Sequence, residues 1–385
     1  MKKIFAGILL AILSILLVIG IGARMLMPKE PIASVEEEVV TPTPEPSKEP
    51  EVYEASLFVT GDGLLHGAVY KDAYQADGSY DFRGMLEHIA PICEKYDLQY
   101  YNQESILGGN ELGFFSYPTF NSPHEFGDNM VELGFNLVST ANNHSLDMGE
   151  TGITNSVNFW KSKEGVVMEG TYTSFEEQAE LPIHEINGIT YAFMSYTYGT
   201  NGLVCPEGKE YLVNYYPGHE EEILERVRKA DALADVVIMA MHWGTEYSMY
   251  VNEEQESLAK RLVEAGADII IGNHPHVIEP VEWIGDRICF YAMGNFISAQ
   301  DRTERLIGMI AGLDIVKTVT EEETTIEIKN VRTDLIYTFY YNHGNFKLYP
   351  FEMLTDEILP NHEQLYEEFS QVIRKRDESI QIGGV

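Results

Sequence analysis

Basic residues and cysteines are scarce in this chain of 385 residues. It has 26 lysines and arginines against 61 aspartates and glutamates, which gives a formal net charge of −35 at pH 7. Proteins bind DNA and RNA largely through lysines and arginines that neutralise phosphates, so this composition argues against a nucleic-acid partner. The three cysteines, Cys93, Cys205 and Cys289, are too few for a disulfide framework, and none lies in a C-x-x-C metal motif.

One long hydrophobic run is present, and it lies at the N terminus. Lys2 and Lys3 precede an uncharged, mostly aliphatic segment over residues 4–21, which at ~1.5 Å per residue is long enough to cross most of a bilayer core. No small-x-small cleavage site follows this segment, so residues 1–27 are predicted to be an uncleaved signal anchor, with a removed signal peptide as the alternative. The basic start predicts a single-pass membrane protein with the rest of the chain outside the cell.

The next segment, residues 28–53, is rich in proline and glutamate and has few large aliphatic side chains. Such a segment cannot bury enough apolar surface to fold. It is predicted to be an extended linker that holds a folded domain, residues 54–385, away from the membrane.

Within this domain, short β-branched and aromatic runs alternate with segments of helical periodicity, which predicts an α/β architecture. The predicted strands cover residues 56–62, 98–104, 136–143, 190–196, 236–244, 268–274 and 288–296, followed by antiparallel strands over 306–316 and 324–336. Helices are predicted over residues 152–164, 219–234, 253–265 and 361–377, the third of them ended by Gly266.

Polar side chains that can bind metals or carry protons stand where these predicted strands end. In open α/β sheets, binding sites form beyond the carboxyl ends of the strands, so residues far apart in the sequence can meet there. Five of the eleven histidines lie at such ends, and the other six are interpreted as ordinary surface or core histidines. The strand-end set consists of Asp62, His66, Asn102, Glu104, Asn142, Asn143, His144, Asp147, His242, His274 and His276.

The sequence His274-Pro275-His276 places two histidines one residue apart. In an extended segment, residues i and i+2 point to the same side, so the two imidazoles are predicted to reach one ion. Pro275 is predicted to keep His274 in that extended conformation. Taken alone, this motif is also compatible with a polar turn. His242, taken alone, is compatible with a packed core histidine. The four other strand ends that carry possible ligands favour a shared site instead.

Ligands of mixed type, oxygen from Asp, Asn and Glu and nitrogen from His, suit Mn, Zn or Fe better than Ca or Mg. The absence of cysteine thiolates from the set argues against a closed structural zinc site. Two such ions about 3.5–4 Å apart could hold a phosphoryl group and activate a water. The sequence leaves open whether the site holds one ion or two of unequal affinity.

Six stretches that contain these residues resemble the CapA family of capsule-synthesis, or poly-γ-glutamate biosynthesis, proteins, which belongs to the calcineurin-like metallophosphoesterase superfamily. The stretches, which together cover roughly residues 56–300, read TGDGLLH, NQES, TANNHSLDMGETGI, HWGTEY, IIGNHPHVIEP and FYAMGNFI. The resemblance implies a four-layer α/β/β/α sandwich with two mixed sheets packed face to face. It also implies a membrane-anchored bacterial domain outside the cell, with proteins of poly-γ-glutamate synthesis or export as partners.

The same resemblance implies metal contacts and a general acid. The general acid would be His144, and the implied metal contacts are Asp62, Asn143, His242, His274 and His276. The sequence departs from the family pattern in two places. The aspartate that binds the second metal in the family is replaced by the NQES segment, where Glu104 or Asn102 would substitute. The family usually has Asp-x-His at its first motif, whereas here the histidine nearest to Asp62 is His66. His66, Asn102, Asn142 and Asp147 are additional candidates.

Together, these features predict a metal-dependent phosphoesterase or transferase that acts in capsule or envelope polymer biosynthesis. The alternatives are a non-catalytic subunit of a synthesis and export complex and a domain that binds a wall polymer without chemistry.

Overall fold

The computed structural model describes residues 49–385. The predicted anchor, residues 1–27, and residues 28–48 of the predicted linker lie outside this range. The first strand begins at Glu51, three residues before the predicted start of the domain at residue 54. Its early residues pair with a strand more than 250 positions later, Glu51 opposite Val319, and the local composition of the linker could not indicate this pairing. Within residues 49–385, the helices are all too short or too polar to cross a bilayer.

The strands are β1 Glu51–Gly63, β2 Leu98–Asn102, β3 Leu137–Ser139, β4 Val167–Glu169, β5 His184–Ile186, β6 Ile189–Thr197, β7 Val236–His242, β8 Ile269–Asn273, β9 Val281–Ile284, β10 Arg287–Phe290, β11 Asn295–Ile297, β12 Ile307–Val319, β13 Thr324–Tyr341, β14 Gly344–Pro350 and β15 Gln381–Ile382. The helices are α1 Gly67–Asp72, α2 Arg83–Leu86, α3 Ala90–Cys93, α4 His124–Glu132, α5 Gly149–Lys161, α6 Phe175–Ala179, α7 Glu220–Asp231, α8 Glu253–Ala265, α9 Thr303–Leu306 and α10 His362–Ile373.

The strands form two mixed sheets, as predicted. The first sheet has the order β14-β13-β12-β1-β2-β3-β4, with β11 also paired to β1 and β15 to β13. In it, β1 to β4 are parallel, whereas β12 to β14 continue the sheet in antiparallel fashion. The second sheet has the order β5-β6-β7-β8-β10-β9, with a parallel centre and antiparallel edge strands.

The two sheets share one apolar layer, and helices cover their other faces. Side chains that alternate along the strands, such as Leu57 of β1 and Ile238 of β7, belong to one buried cluster. On the other face of the first sheet, Phe58 belongs to a cluster with residues of α4 and α5. On the other face of the second sheet, Met239 packs with residues of α7 and α8. Burial of each large apolar side chain contributes about 1.5–3 kcal/mol, so these layers fix how the strand ends are placed.

The segment predicted as one strand over residues 288–296 is two strands in different sheets. β10 pairs with β8 of the second sheet, and β11 pairs with β1 of the first. Gly294, with a φ of 68°, allows the chain to turn between them. A continuous apolar run does not show at which residue a chain passes from one buried layer to the next, and the prediction was therefore wrong here. This crossing places Asn295 directly opposite Asp62.

Candidate metal centre

The carboxyl ends of the parallel strands of both sheets carry the candidate ligands. In the first sheet, Asp62 at the end of β1 lies opposite Asn102 at the end of β2. In the second, His242 at the end of β7 lies opposite Asn273 at the end of β8. Gly61 allows β1 to pack closely against the segment between β10 and β11, because a Cβ at this position would lie 1.8 Å from the carbonyl oxygen of Gly294. The fold thus brings together residues that the sequence separates by more than two hundred positions.

Two groups of potential ligands share Glu104, two residues beyond β2. One group consists of Glu104, His242 and His274, and the other of Asp62, Glu104 and His276; within each group the ligand atoms all lie within 4.8 Å of one another. All five residues are buried. Glu104 Oε1 lies 3.7 Å from Nε2 of His242 and 3.6 Å from Nε2 of His276, which makes this carboxylate the centre of the cluster.

The backbone at His274 and His276 differs from the predicted extended conformation. The two residues have φ values of 102° and 58°, in the region that disfavours residues other than glycine. The chain turns here so that the backbone N–H of His274 points to Asp62 Oδ2 at 3.4 Å, and it places the two imidazoles in different ligand groups, with ring centroids 6.1 Å apart. The prediction of an extended pair was therefore wrong. Strained backbone of this kind persists where surrounding contacts fix it, as is common at functional sites.

Amide side chains hold several of the ligands in place. Asn102 Nδ2 donates to Asp62 Oδ1 at 2.8 Å, and Asn143 Oδ1 lies 3.0 Å from His242 Nε2. Asn295 Oδ1 lies 3.0 Å from His276 Nδ1, so the ring nitrogen is positioned by an amide from β11. Such supporting contacts orient ligand rings and are a regular feature of metal sites.

His144 lies beside this cluster and has a different set of contacts. Its Nδ1 is 2.8 Å from Asp147 Oδ2, and the same carboxylate oxygen accepts the backbone N–H of Phe120 at 2.6 Å. The phenyl ring of Phe120 packs edge-on against the imidazole, with centroids 4.6 Å apart. The orientation of His144 is thus fixed through one ring nitrogen and one aromatic contact.

The two remaining candidates take part in neither ligand group. His66 Nδ1 accepts the backbone N–H of Ala299 at 3.3 Å, and burial lowers the pKa of its imidazole to about 4. The amide of Asn142 donates to the backbone carbonyl of Gln103 at 2.9 Å and accepts the N–H of His144 at 3.0 Å. Asn142 therefore shapes the turn that presents Asn143 and His144.

Burial dominates the electrostatics of the cluster. It lowers the pKa of His242 well below the ordinary value and that of His274 to about 3, so both imidazoles are neutral and able to bind a cation at neutral pH. Burial raises the pKa of Glu104 well above its ordinary value. Burial would lower the pKa of His276, but the carboxylates of Glu104 and Asp62 outweigh it and raise this pKa to about 9. A cation bound between these groups would compete with protons for the same ligand atoms.

Sequence reasoning missed two residues that contact the cluster, Asn295 and Tyr198, and a third, Tyr100, that contacts the neighbouring Asn273. Asn295 was part of the quoted stretch FYAMGNFI but not recognised as a site residue, because residues 288–296 were predicted as one continuous strand and the crossing to β1 was not foreseen. Tyr198 follows β6 directly, and its ring stacks on His242 at 6.2 Å and packs on His274 at 4.5 Å. Tyr100 donates its hydroxyl to Asn273 Oδ1 at 2.5 Å, across the two sheets. The rule that sites form at strand ends could have identified Tyr198.

The donor set fits a divalent transition metal. Both carboxylate oxygens of Glu104 and Nδ1 of His274 are buried and have no hydrogen-bond partner among the described residues. Buried polar atoms without partners are costly, and a cation would satisfy all three atoms. The ligands combine imidazole nitrogen with carboxylate and amide oxygen, the mixture that suits Mn, Zn and Fe.

The chain matches a described protein family and curated proteins of that kind. The family "Bacterial capsule synthesis protein PGA_cap" matches residues 56–300. The PGA biosynthesis protein CapA of Bacillus subtilis (strain 168) is 30% identical over 175 residues, which are 45% of this chain and 45% of that protein. The capsule biosynthesis protein CapA of Bacillus anthracis is 27% identical over 267 residues, 67% of this chain and 63% of that protein.

The chain thus matches less than two thirds of the length of either relative. Among solved structures, the TT1561 protein of Thermus thermophilus is 9% identical, with a TM-score of 0.38 over 72% of this chain and 98% of that one, which is too low to support an argument. The family match covers more than half of the chain and contains every candidate ligand, and the chain therefore belongs to the family of bacterial capsule synthesis proteins.

Proposed function

We propose that this chain is a metal-dependent phosphoesterase or transferase that acts in the synthesis of poly-γ-glutamate capsule or a related envelope polymer. It would bind one or two divalent transition-metal ions, Mn, Zn or Fe, at the ends of β1, β2, β7 and β8. The names of the two Bacillus relatives, which refer to capsule and PGA biosynthesis, support the biological part of the proposal. The hydrophobic N-terminal segment supports a membrane anchor with the domain outside the cell, where proteins of polymer synthesis or export would be its partners.

The single observation that carries the proposal is the environment of Glu104. Its carboxylate is fully buried, neither oxygen accepts a hydrogen bond from any group in residues 49–385, and imidazole nitrogens of His242 and His276 lie within 3.7 Å. A chain would lose several kcal/mol by burying a carboxylate in this way unless a cation compensated for the lost hydration. A structural role would instead have provided donors for the two oxygens.

The residues around Glu104 have distinct roles in this proposal. Asp62, Glu104, Asn143, His242, His274 and His276 would hold the ion or ions. Such an ion would supply Lewis-acid polarisation of a phosphoryl oxygen and lower the pKa of water. In its imidazolium form, His144 would donate the Nε2 proton to the leaving group and become neutral, while Asp147 accepts a hydrogen bond from Nδ1 and orients the ring.

A cavity beside the cluster favours a second candidate function, the binding of a wall polymer without chemistry. It has a volume of about 1090 Å³, and Tyr198, which packs on His274, is part of its wall. Its lining mixes apolar side chains with polar and charged ones, among them Asn214, Arg226 and Lys229. In a complex for polymer synthesis or export, such a cavity could serve a non-catalytic subunit. The net charge of −35 would repel a polyanion at long range, so either function needs a local cationic group near the cluster.

Metal content of the purified full-length chain tests the proposal. We expect elemental analysis to find Mn, Zn or Fe in the wild type, and to find it largely lost in Glu104→Gln, which keeps the shape of the side chain but not its charge. Glu169→Gln is the matched control, because Glu169 is also buried but accepts a hydrogen bond from Tyr172 at 2.6 Å and lies in neither ligand group.

Two results would contradict the proposal. One is a wild-type chain that binds none of the three metals after incubation with each; the other is a Glu104→Gln variant that retains the full metal content of the wild type. Metal binding without any turnover of phosphodiesters would instead favour the polymer-binding alternative.

A further inference from the structure

Arg305, at the end of α9, carries a mostly buried guanidinium that makes few contacts. Its side chain is only 16% exposed, and its Nε is buried without a hydrogen-bond partner among the described residues. The nearest carboxylate oxygen belongs to Asp301, at 3.5 Å, and the side chain of Asp301 is itself 82% exposed. A guanidinium has five N–H donors, and leaving them unused in a buried position is unfavourable.

Two other partly buried arginines in the described residues show the usual arrangement. Arg287 is 25% exposed and lies 2.9 Å from Asp268, and Arg376 is 24% exposed and donates to Glu256 and Glu282 at 2.7 and 3.0 Å. Acidic residues are abundant in this chain, so a partner for Arg305 would have been easy to provide. The lack of a close carboxylate at the most buried of the three indicates that its donors serve a different purpose.

Two contacts link Arg305 to His276 of the candidate metal centre. Its guanidinium lies over the ring of Tyr247, 3.5 Å from the ring centroid, and that ring lies 6.1 Å from the imidazole of His276. Its backbone carbonyl accepts a hydrogen bond from Asn295 Nδ2 at 2.8 Å, and Asn295 Oδ1 contacts His276 Nδ1. Tyr247 is 42% exposed, so this arrangement stands where solvent reaches the edge of the site.

We propose that Arg305 binds an oxyanion of the substrate, a phosphoryl or carboxylate group, at the entrance of the candidate metal centre. The planar guanidinium can offer paired N–H donors to either anion, and its stacking on Tyr247 orients it beforehand. The role of this anion site in a reaction rests on the function proposed above, but binding of the anion can be measured independently. Arg305 would also supply the local positive charge that an acidic protein needs to admit a polyanion.

Calorimetric titration of the full-length chain with inorganic phosphate and, separately, with glutarate tests the inference. We expect Arg305→Gln to weaken the binding of at least one of these probes by about ten- to a hundredfold, because charge-assisted hydrogen bonds are lost. Arg305→Lys keeps the charge but not the paired donors, and a smaller loss is expected. Arg302→Gln is the control, since Arg302 lies three residues earlier, is 64% exposed and should change binding by less than about twofold.

The probe that loses affinity shows whether the site prefers phosphoryl or carboxylate groups. If Arg305→Gln does not fold, as judged by circular dichroism, the Arg305→Lys variant must still show a loss. The inference is wrong if the wild type binds neither probe, or if folded Arg305 variants bind both as the wild type does. Metal content measured on the same samples separates the two ideas, because a metal-loaded chain with unchanged anion binding contradicts only the role of Arg305.

Discussion

The Glu104 cluster and the His144–Asp147 pair lie beside each other at the strand ends, but their polar groups are satisfied differently. In the cluster, the Glu104 oxygens and Nδ1 of His274 have no hydrogen-bond partner among the described residues. In the pair, His144 and Asp147 contact each other at 2.8 Å, and Asp147 also accepts the N–H of Phe120. The cluster thus leaves buried polar atoms without partners, whereas the two side chains of the pair satisfy each other. If the proposed function is right, cation binding and proton transfer depend on separate residues and can be separated by mutation.

The largest effect that tests this separation is expected for His144→Asn. Loss of a general acid typically lowers turnover by about 10²–10⁴-fold, so hydrolysis of a simple phosphodiester such as bis(p-nitrophenyl) phosphate should fall by that amount. Metal content should stay at the wild-type level, because His144 belongs to neither ligand group. Both quantities are measured on the same preparation.

Asp147→Asn serves as the comparison for this variant. It removes the charge that Asp147 presents to His144 Nδ1 but leaves the imidazole in place, so a smaller loss of turnover is expected. If His144→Asn loses its metal together with its activity, the distinction between the two parts of the site is wrong.

A smaller effect is expected on the cluster side, from Asn295→Ala. This change removes the acceptor at 3.0 Å from His276 Nδ1, and loss of such a supporting contact typically lowers metal affinity by about 10–100-fold. Competition with a chromogenic chelator measures that affinity. Asn295→Asp retains an acceptor at this position and should remain closer to the wild type. Equal metal affinity in all three proteins would show that the amide does not support a ligand.

Much of the fold could be predicted from local sequence. Helix α8 has the predicted bounds, residues 253–265, and ends at Gly266, whose φ of 115° suits glycine. The antiparallel strands predicted over 306–316 and 324–336 were also confirmed, as parts of β12 and β13. These elements have periodicity and end signals within a few residues, so local physical rules suffice for them.

Features that depend on contacts distant in the sequence could not be predicted in the same way. Strands β10 and β11 lie in one apolar run, and their separation into two sheets depends on pairing with β8 and β1. The turn at His274 was predicted as extended, since the preference of residues before proline was considered without the nearby Asp62. Arg305 belongs to no recognisable sequence motif. It was identified as a candidate only from the burial of its side chain and the contact of its guanidinium with the Tyr247 ring. By contrast, the strand-end rule correctly indicated that Asp62, Glu104, His242, His274 and His276 would lie close together.

Glu169, at the end of β4, extends the comparison to a buried carboxylate outside both parts of the site. One of its oxygens accepts the Tyr172 hydroxyl at 2.6 Å, yet burial raises the pKa of this carboxyl from the ordinary value of 4.5 to about 7. The folded state therefore binds this proton more tightly than the unfolded state does. The associated stabilisation is fully present below about pH 4.5 and is lost as the pH rises through about 7.

The smallest predicted effect follows from this shift, as a change in the free energy of unfolding of Glu169→Gln. The glutamine cannot ionise, so the variant should not share the wild type's loss of stability as the pH rises. Its free energy of unfolding relative to the wild type should therefore be about 1–2 kcal/mol higher at about pH 8 than at about pH 5. Urea unfolding at both pH values measures this difference. Glu321→Gln removes one negative charge at an exposed position, and its difference from the wild type should be nearly the same at both pH values. If the difference in unfolding free energy between Glu169→Gln and the wild type is the same at both pH values, a single hydroxyl donor is enough to keep a buried carboxylate ionised. The lack of any such donor to Glu104 among the described residues would then be stronger support for a bound cation.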